Sequence, residues 1–98
     1  MPVDFISLEH ACLLTRKAAE QGDAEAQFNL GFAYALGQGV PQDYILSHMW
    51  LTLAAVQAKG DKQTESVKSR DAVAANMTPS QLLEAQRLAR QWKPTPAE

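Results

Sequence analysis

Shifted by 36 residues, the first part of the sequence lands on its own middle. Ser7 falls on Asp43, Leu8 on Tyr44, Ala11 on Ser47, Leu14 on Trp50, and Ala18-Ala19 on Ala54-Ala55. Cap meets cap, large apolar meets large apolar, and small meets small. One helix pair of this length cannot bury its own apolar faces, whereas stacked neighbours can, so a repeat at this period selects a helical array.

The centre of that array is Gly22 to Ala55, GDAEAQFNLGFAYALGQGVPQDYILSHMWLTLAA. Asp23 caps a helix predicted over 24–36, whose stripe Ala26, Leu30 and Tyr34 repeats at i, i+4 and i+8. Gly31 sits beside the stripe. A glycine inside a helix costs about 1 kcal/mol against alanine, so its presence there predicts another backbone passing close by. Gly37 and Gly39 end this helix, Pro41 forbids its resumption, and Asp43 caps the next, predicted over 44–58. Ser7 is expected to cap a helix before this pair, with Leu8, Ala11, Cys12, Leu14, Ala18 and Ala19 near a 3.6-residue period. Gly60-Asp61 repeats the Gly22-Asp23 punctuation, and a more polar fourth helix is predicted from about Thr64 to Ala75. Thr78-Pro79-Ser80-Gln81 is a capping box with proline in the first helical position, so a fifth helix starts there, with Leu82, Ala85, Ala89 and Trp92 along one side. Lys93-Pro94 ends it and a short tail follows. The fold class is all-α, with about five helices.

Alanine dominates the 46% hydrophobic content and β-branched residues are scarce, which favours helix over strand. A formal charge of −2 gives no reason to expect nucleic acid or an anionic membrane as partner. The six acids and two bases of residues 1–50, against five acids and seven bases in 51–98, mark solvated helix faces. A single cysteine, Cys12, permits no internal disulfide. Neither a signal peptide nor a membrane span is legible, so the chain reads as cytoplasmic by default, and a piece of an exported parent would read the same.

Ala24-Glu25-Ala26-Gln27, Leu30-Gly31, Tyr34, Gly37-x-Gly39-Val40, Asp43-Tyr44, Trp50 and Ala54-Ala55 resemble the Sel1-like repeat, a relative of the tetratricopeptide repeat. His48-Met49-Trp50 and the ending Met77-Thr78-Pro79 with Glu84 to Ala89 look like bacterial members in which such a segment closes the array. The resemblance implies a short α-solenoid of antiparallel helix pairs stacked in a right-handed superhelix, and one domain over 1–98. Residues 7–23 would be the second helix of a partial repeat, 22–58 a complete repeat, 62–93 a degenerate capping helix pair and 94–98 a tail. Leu46 and Ser47 stand where the family usually has lysine and alanine. Aligned by its Gly-Asp, the fourth helix offers Lys68 and Ser69 in place of Leu30 and Gly31. The first unit lacks its first helix, leaving an apolar end that a longer parent chain or a second copy is expected to cover.

Catalytic chemistry finds little support. Cys12 and His48 occupy equivalent positions 36 residues apart, and a cysteine–histidine pair can generate a thiolate nucleophile when the two are in hydrogen-bond contact. Stacked helices stand about 8–10 Å apart, so the bland expectation is a small core cysteine and a partly exposed histidine. His10, two residues from Cys12, points to another face. Glu20, Asp23 and Glu25 cluster at a helix junction, where capping and dipole effects account for them. Gly37 and Gly39 lack the Gly-Lys-Ser/Thr of a phosphate loop and do not follow a strand. The chain is therefore expected to be no enzyme and to use no metal or cofactor.

The functional expectation is a surface. In the related repeats the first helix of each pair lines the groove that takes peptides or partner helices, which here would place Glu25, Phe28, Phe32 and Ala35 on or beside it. Aromatic anchors suit such a groove. Phe28 has the competing expectation of packing on the preceding pair. The expected role is a protein-binding adaptor whose partner is a protein or peptide. The alternative is a structural cap of a longer array, and a homo-oligomer formed through the uncovered N-terminal end is a further expectation.

Overall fold

The computed structural model describes residues 8–96 and consists of five helices: α1 Leu8–Glu20, α2 Ala24–Leu36, α3 Tyr44–Gln57, α4 Gly60–Ala74 and α5 Pro79–Gln91. No strand occurs among the described residues. The cap expected from Ser7 lies outside them. Asp23 and Asp43 cap α2 and α3 as their sequence positions predict, accepting from the amides of Ala26 (2.9 Å) and Leu46 (3.0 Å). At α5 both arms of the capping box are made: Thr78 Oγ1 accepts from the Gln81 amide at 3.1 Å, and Gln81 Oε1 accepts from the Thr78 amide at 2.9 Å.

The helices stack in chain order, α2 between α1 and α3, and α3 against both α4 and α5. The core runs through Ala19, Ala26, Leu30, Tyr34, Met49, Trp50 and Leu53. At the crossing of α2 and α3, Gly31 does what its cost in helix propensity implied. A methyl group there would lie 2.7 Å from Leu51 Cγ and 3.2 Å from the Ser47 carbonyl oxygen. Ser47, the residue that departs from the family's alanine, donates its hydroxyl to the Gly31 carbonyl at 2.7 Å. A fully buried hydroxyl without that partner would carry a desolvation cost of about 1–3 kcal/mol, so the close approach and the serine belong together.

Two expectations about the last helices are corrected. First, α4 begins at Gly60, one turn earlier than Thr64, and Asp61 lies in its first turn instead of capping it. Gly60 takes φ 60, a left-handed conformation open to glycine, which turns the chain directly from α3 into α4. The repeat therefore keeps its period of 36: Gln27 Nε2 donates to the Ala19 carbonyl at 3.1 Å and Gln63 Nε2 to the Ala55 carbonyl at 2.9 Å. In that register Ser66 and Val67, not Lys68 and Ser69, stand where Leu30 and Gly31 stand in α2. Ser66 is fully buried, and its hydroxyl has no partner where the complete repeat carries leucine.

Second, α5 is docked on α3 instead of pairing along α4. Trp92 meets Trp50 edge-on at 6.2 Å, while Leu88 and Ala89 pack on the core. The chain then continues back to α1, where the Thr95 amide donates to the Glu20 carbonyl at 2.6 Å.

Candidate interaction surface

Glu25, Phe28, Phe32 and Ala35 follow one another at intervals of three and four along α2, so they form a single stripe. That stripe borders α4. The Phe28 and Phe32 rings are 5.3 Å apart between centroids. The Lys62 ammonium lies 4.3 Å from the centre of the Phe28 ring and reaches Glu25 at 3.5 Å and Glu65 at 3.3 Å. Past this charged corner the groove continues as a cleft of about 270 Å³ lined by Phe32, Ala35, Leu36 and Tyr44 on one side and by Ser69 and Val73 of α4 on the other. Phe32 is 47% exposed and Leu36 59% exposed, and the two stand together on one wall of the cleft. Phe28 is half-buried, and its ring meets Phe32 on its own helix and the Lys62 ammonium of the following one. Lys62, Ser69 and Val73 were not among the residues expected to line this surface. The 36-residue period carried past Ala55 sets Lys62 inside α4, at the position equivalent to Ala26.

The structure keeps Cys12 and His48 apart. Cys12 Sγ donates to the Gln38 carbonyl at 3.2 Å and borders Arg16 and Val40. His48 lies under α4 and α5, with Nδ1 3.4 Å from Thr52 Oγ1 and with Arg70, Asp71 and Gln86 around it. The separation follows from the repeat. Cys12 and Arg16 serve the first unit, where Arg16 donates to the Tyr34 hydroxyl at 2.7 Å, and 36 residues on His48 and Thr52 face Arg70 in the same relation. Equivalent residues in successive units each have their own neighbours. His48 is buried rather than partly exposed; burial, and secondarily the Arg70 charge, push its pKa below 6.5, with Asp71 opposing. His10 is exposed on α1. Among the described residues no group of three or more His, Cys, Asp or Glu side chains gathers as a metal ion would require, and no helix is long and apolar enough to cross a membrane.

Leu13 and Leu14 on α1 are each 49% exposed, whereas their equivalents Met49 and Trp50 are 7% and 6% exposed beneath α5. The apolar face expected on the first helix is therefore present in the folded chain.

Capped helix pairs in a fixed 36-residue register, closed on one side by an amphipathic helix, define a helical repeat protein of the solenoid class. A family model for the Sel1 repeat matches residues 7–23 and 24–57, just over half of the chain, and the protein belongs to that family. Sel1 repeats in general mediate protein–protein interaction. No curated protein and no solved structure matches the chain.

Proposed function

We propose that this chain is a non-enzymatic adaptor that holds a partner protein or peptide in the groove between α2 and α4, with Phe32 as the central anchor. The observation that carries this reading is the exposed Phe32 at the junction between the charged corner at Lys62 and the apolar cleft at Leu36 and Val73. An aromatic ring in a partly formed concavity is the arrangement binding hot spots favour. The stripe spans little more than one repeat, so affinity for an isolated peptide is modest.

A display library of peptides selected against the full chain tests the reading. Phe32→Glu should abolish binding of the selected peptides while leaving the far-UV circular dichroism unchanged. Leu83→Glu, at an exposed position on α5, should leave binding intact. Equal binding by the Phe32 variant removes the groove from consideration. A second reading, that the segment from α4 onward caps a longer array, is supported by the polar surface of α4, where Asp61, Thr64, Glu65, Lys68 and Asp71 are exposed.

A further inference from the structure

We propose that the peptide this groove takes carries a basic side chain, preferably arginine, a few residues from an apolar one, and that Lys62 occupies the place of that basic side chain in the free protein. The inference rests on the groove reading above and names the chemistry of its occupant.

The groove has two unlike ends. At one, Glu25 and Glu65 both point at a single cation, the Lys62 ammonium, which also lies over the Phe28 ring. One positive charge faces two negative ones, so the corner carries an unbalanced negative charge even with Lys62 seated, and more when it swings away. Both carboxylates are largely exposed. Exposed pairs of this kind contribute on the order of 0–1 kcal/mol, so displacing the lysine costs little. An incoming guanidinium has more to gain there than an ammonium, because its plane can stack on the ring while its N–H groups reach both carboxylates. An acidic or phosphorylated segment would meet Glu25 and Glu65 as like charges. At the other end, Phe32 and Leu36 stand beside Tyr44 and Val73 with no charged side chain among them, which suits an aliphatic or aromatic residue. Phe28 to Leu36 spans eight helical residues, about 12 Å at 1.5 Å per residue, a length that an extended peptide covers in about four residues.

The test uses the full chain and fluorescein-labelled eight-residue peptides, followed by fluorescence anisotropy. Each peptide carries one leucine and, four positions away, arginine, norleucine or glutamate. The arginine peptide should bind about tenfold more tightly than the norleucine peptide, with the glutamate peptide weakest. Lys62→Met should tighten arginine-peptide binding several-fold, and Glu25→Gln with Glu65→Gln should weaken it several-fold. Lys93→Met, an equal change of net charge outside the groove, should do neither. Equal binding of all three peptides, still abolished by Phe32→Glu, overturns the charge inference and leaves the groove standing. Tighter binding of the glutamate peptide likewise overturns it, as does equal strengthening by Lys62→Met and Lys93→Met. Binding indifferent to Phe32→Glu overturns the groove reading itself. Association of the chain with itself that Phe32→Glu breaks, with no peptide bound, would assign the groove to a second copy and overturn the inference.

Discussion

Replacing Gly31 by alanine sets two effects of opposite sign against each other. In an exposed helix the substitution would stabilise by about 1 kcal/mol through propensity alone. Here the added methyl group would lie 2.7 Å from Leu51 Cγ and 2.9 Å from Leu51 Cδ2, with the Ser47 carbonyl oxygen 3.2 Å away on the other side. Leu51 is fully buried, and the clash falls on its branch point, so no rotation of a free end relieves it. The backbone oxygen cannot yield without parting α2 from α3 and stretching the Ser47–Gly31 hydrogen bond. Overpacking of this kind costs about 1–3 kcal/mol, and so close a contact belongs at the upper end. The net expectation is a loss of about 2 kcal/mol, which in a domain of this size lowers Tm by about 8–16 °C. Urea unfolding followed at 222 nm measures it directly, with an unchanged m-value showing that only stability has moved. The control is a double-mutant cycle with Leu51→Ala. That change alone costs about 2–5 kcal/mol through its cavity. In its background, adding alanine at residue 31 should cost clearly less than in the parent, since the Leu51 atoms are gone and only the Ser47 carbonyl contact remains. A Gly31→Ala protein more stable than the parent in the presence of Leu51 would refute the close crossing of α2 and α3.

Other consequences can be checked on the same footing. Thr78→Ala removes the acceptor of the capping box and should lower stability by about 1 kcal/mol, with Thr78→Ser recovering most of it in the same melting experiment. Burial and the Arg70 charge hold His48 below the ordinary value of 6.5, so the unfolded chain binds the extra proton first. The contribution of His48 to stability is therefore complete above pH 6.5 and declines as pH falls through the ordinary value toward the lowered one. His48→Gln should flatten that part of the stability–pH curve, read as a slope from urea midpoints between pH 7.5 and 5; an unchanged slope would show that His48 is not desolvated.

Most of the scaffold was legible because it is written in local chemistry. Asp23, Asp43 and Thr78 cap their helices through hydrogen bonds that reach only three residues, and Gly31 announced a close approach by being a costly choice in a helix. The end of the array was less legible, for two physical reasons. Gly60-Asp61 looks like Gly22-Asp23, but a helix can begin on a glycine with positive φ, and the part-buried Gln63–Ala55 hydrogen bond shows that the period was never interrupted. The docking of α5 on α3 depends on the Trp50–Trp92 contact, a long-range choice that periodicity within either helix does not encode. The candidate groove was half legible. The α2 stripe follows from helical spacing, whereas its facing wall depends on α4 starting at Gly60, which the Gly-Asp pair disguises. Cys12 and His48 show the converse: equivalence in a repeat puts two residues in like environments, not in contact.

The most direct test of the proposed groove is a two-dimensional ¹H–¹⁵N NMR titration of the full chain with a library-selected peptide. Chemical-shift changes should concentrate on residues 25–36 of α2 and 62–76 in and just after α4, with the Phe32 and Lys62 neighbourhoods moving most. Changes concentrated instead around Leu13 and Leu14 on α1, or along the exposed side of α5 at Leu83, would place the binding surface elsewhere and contradict it.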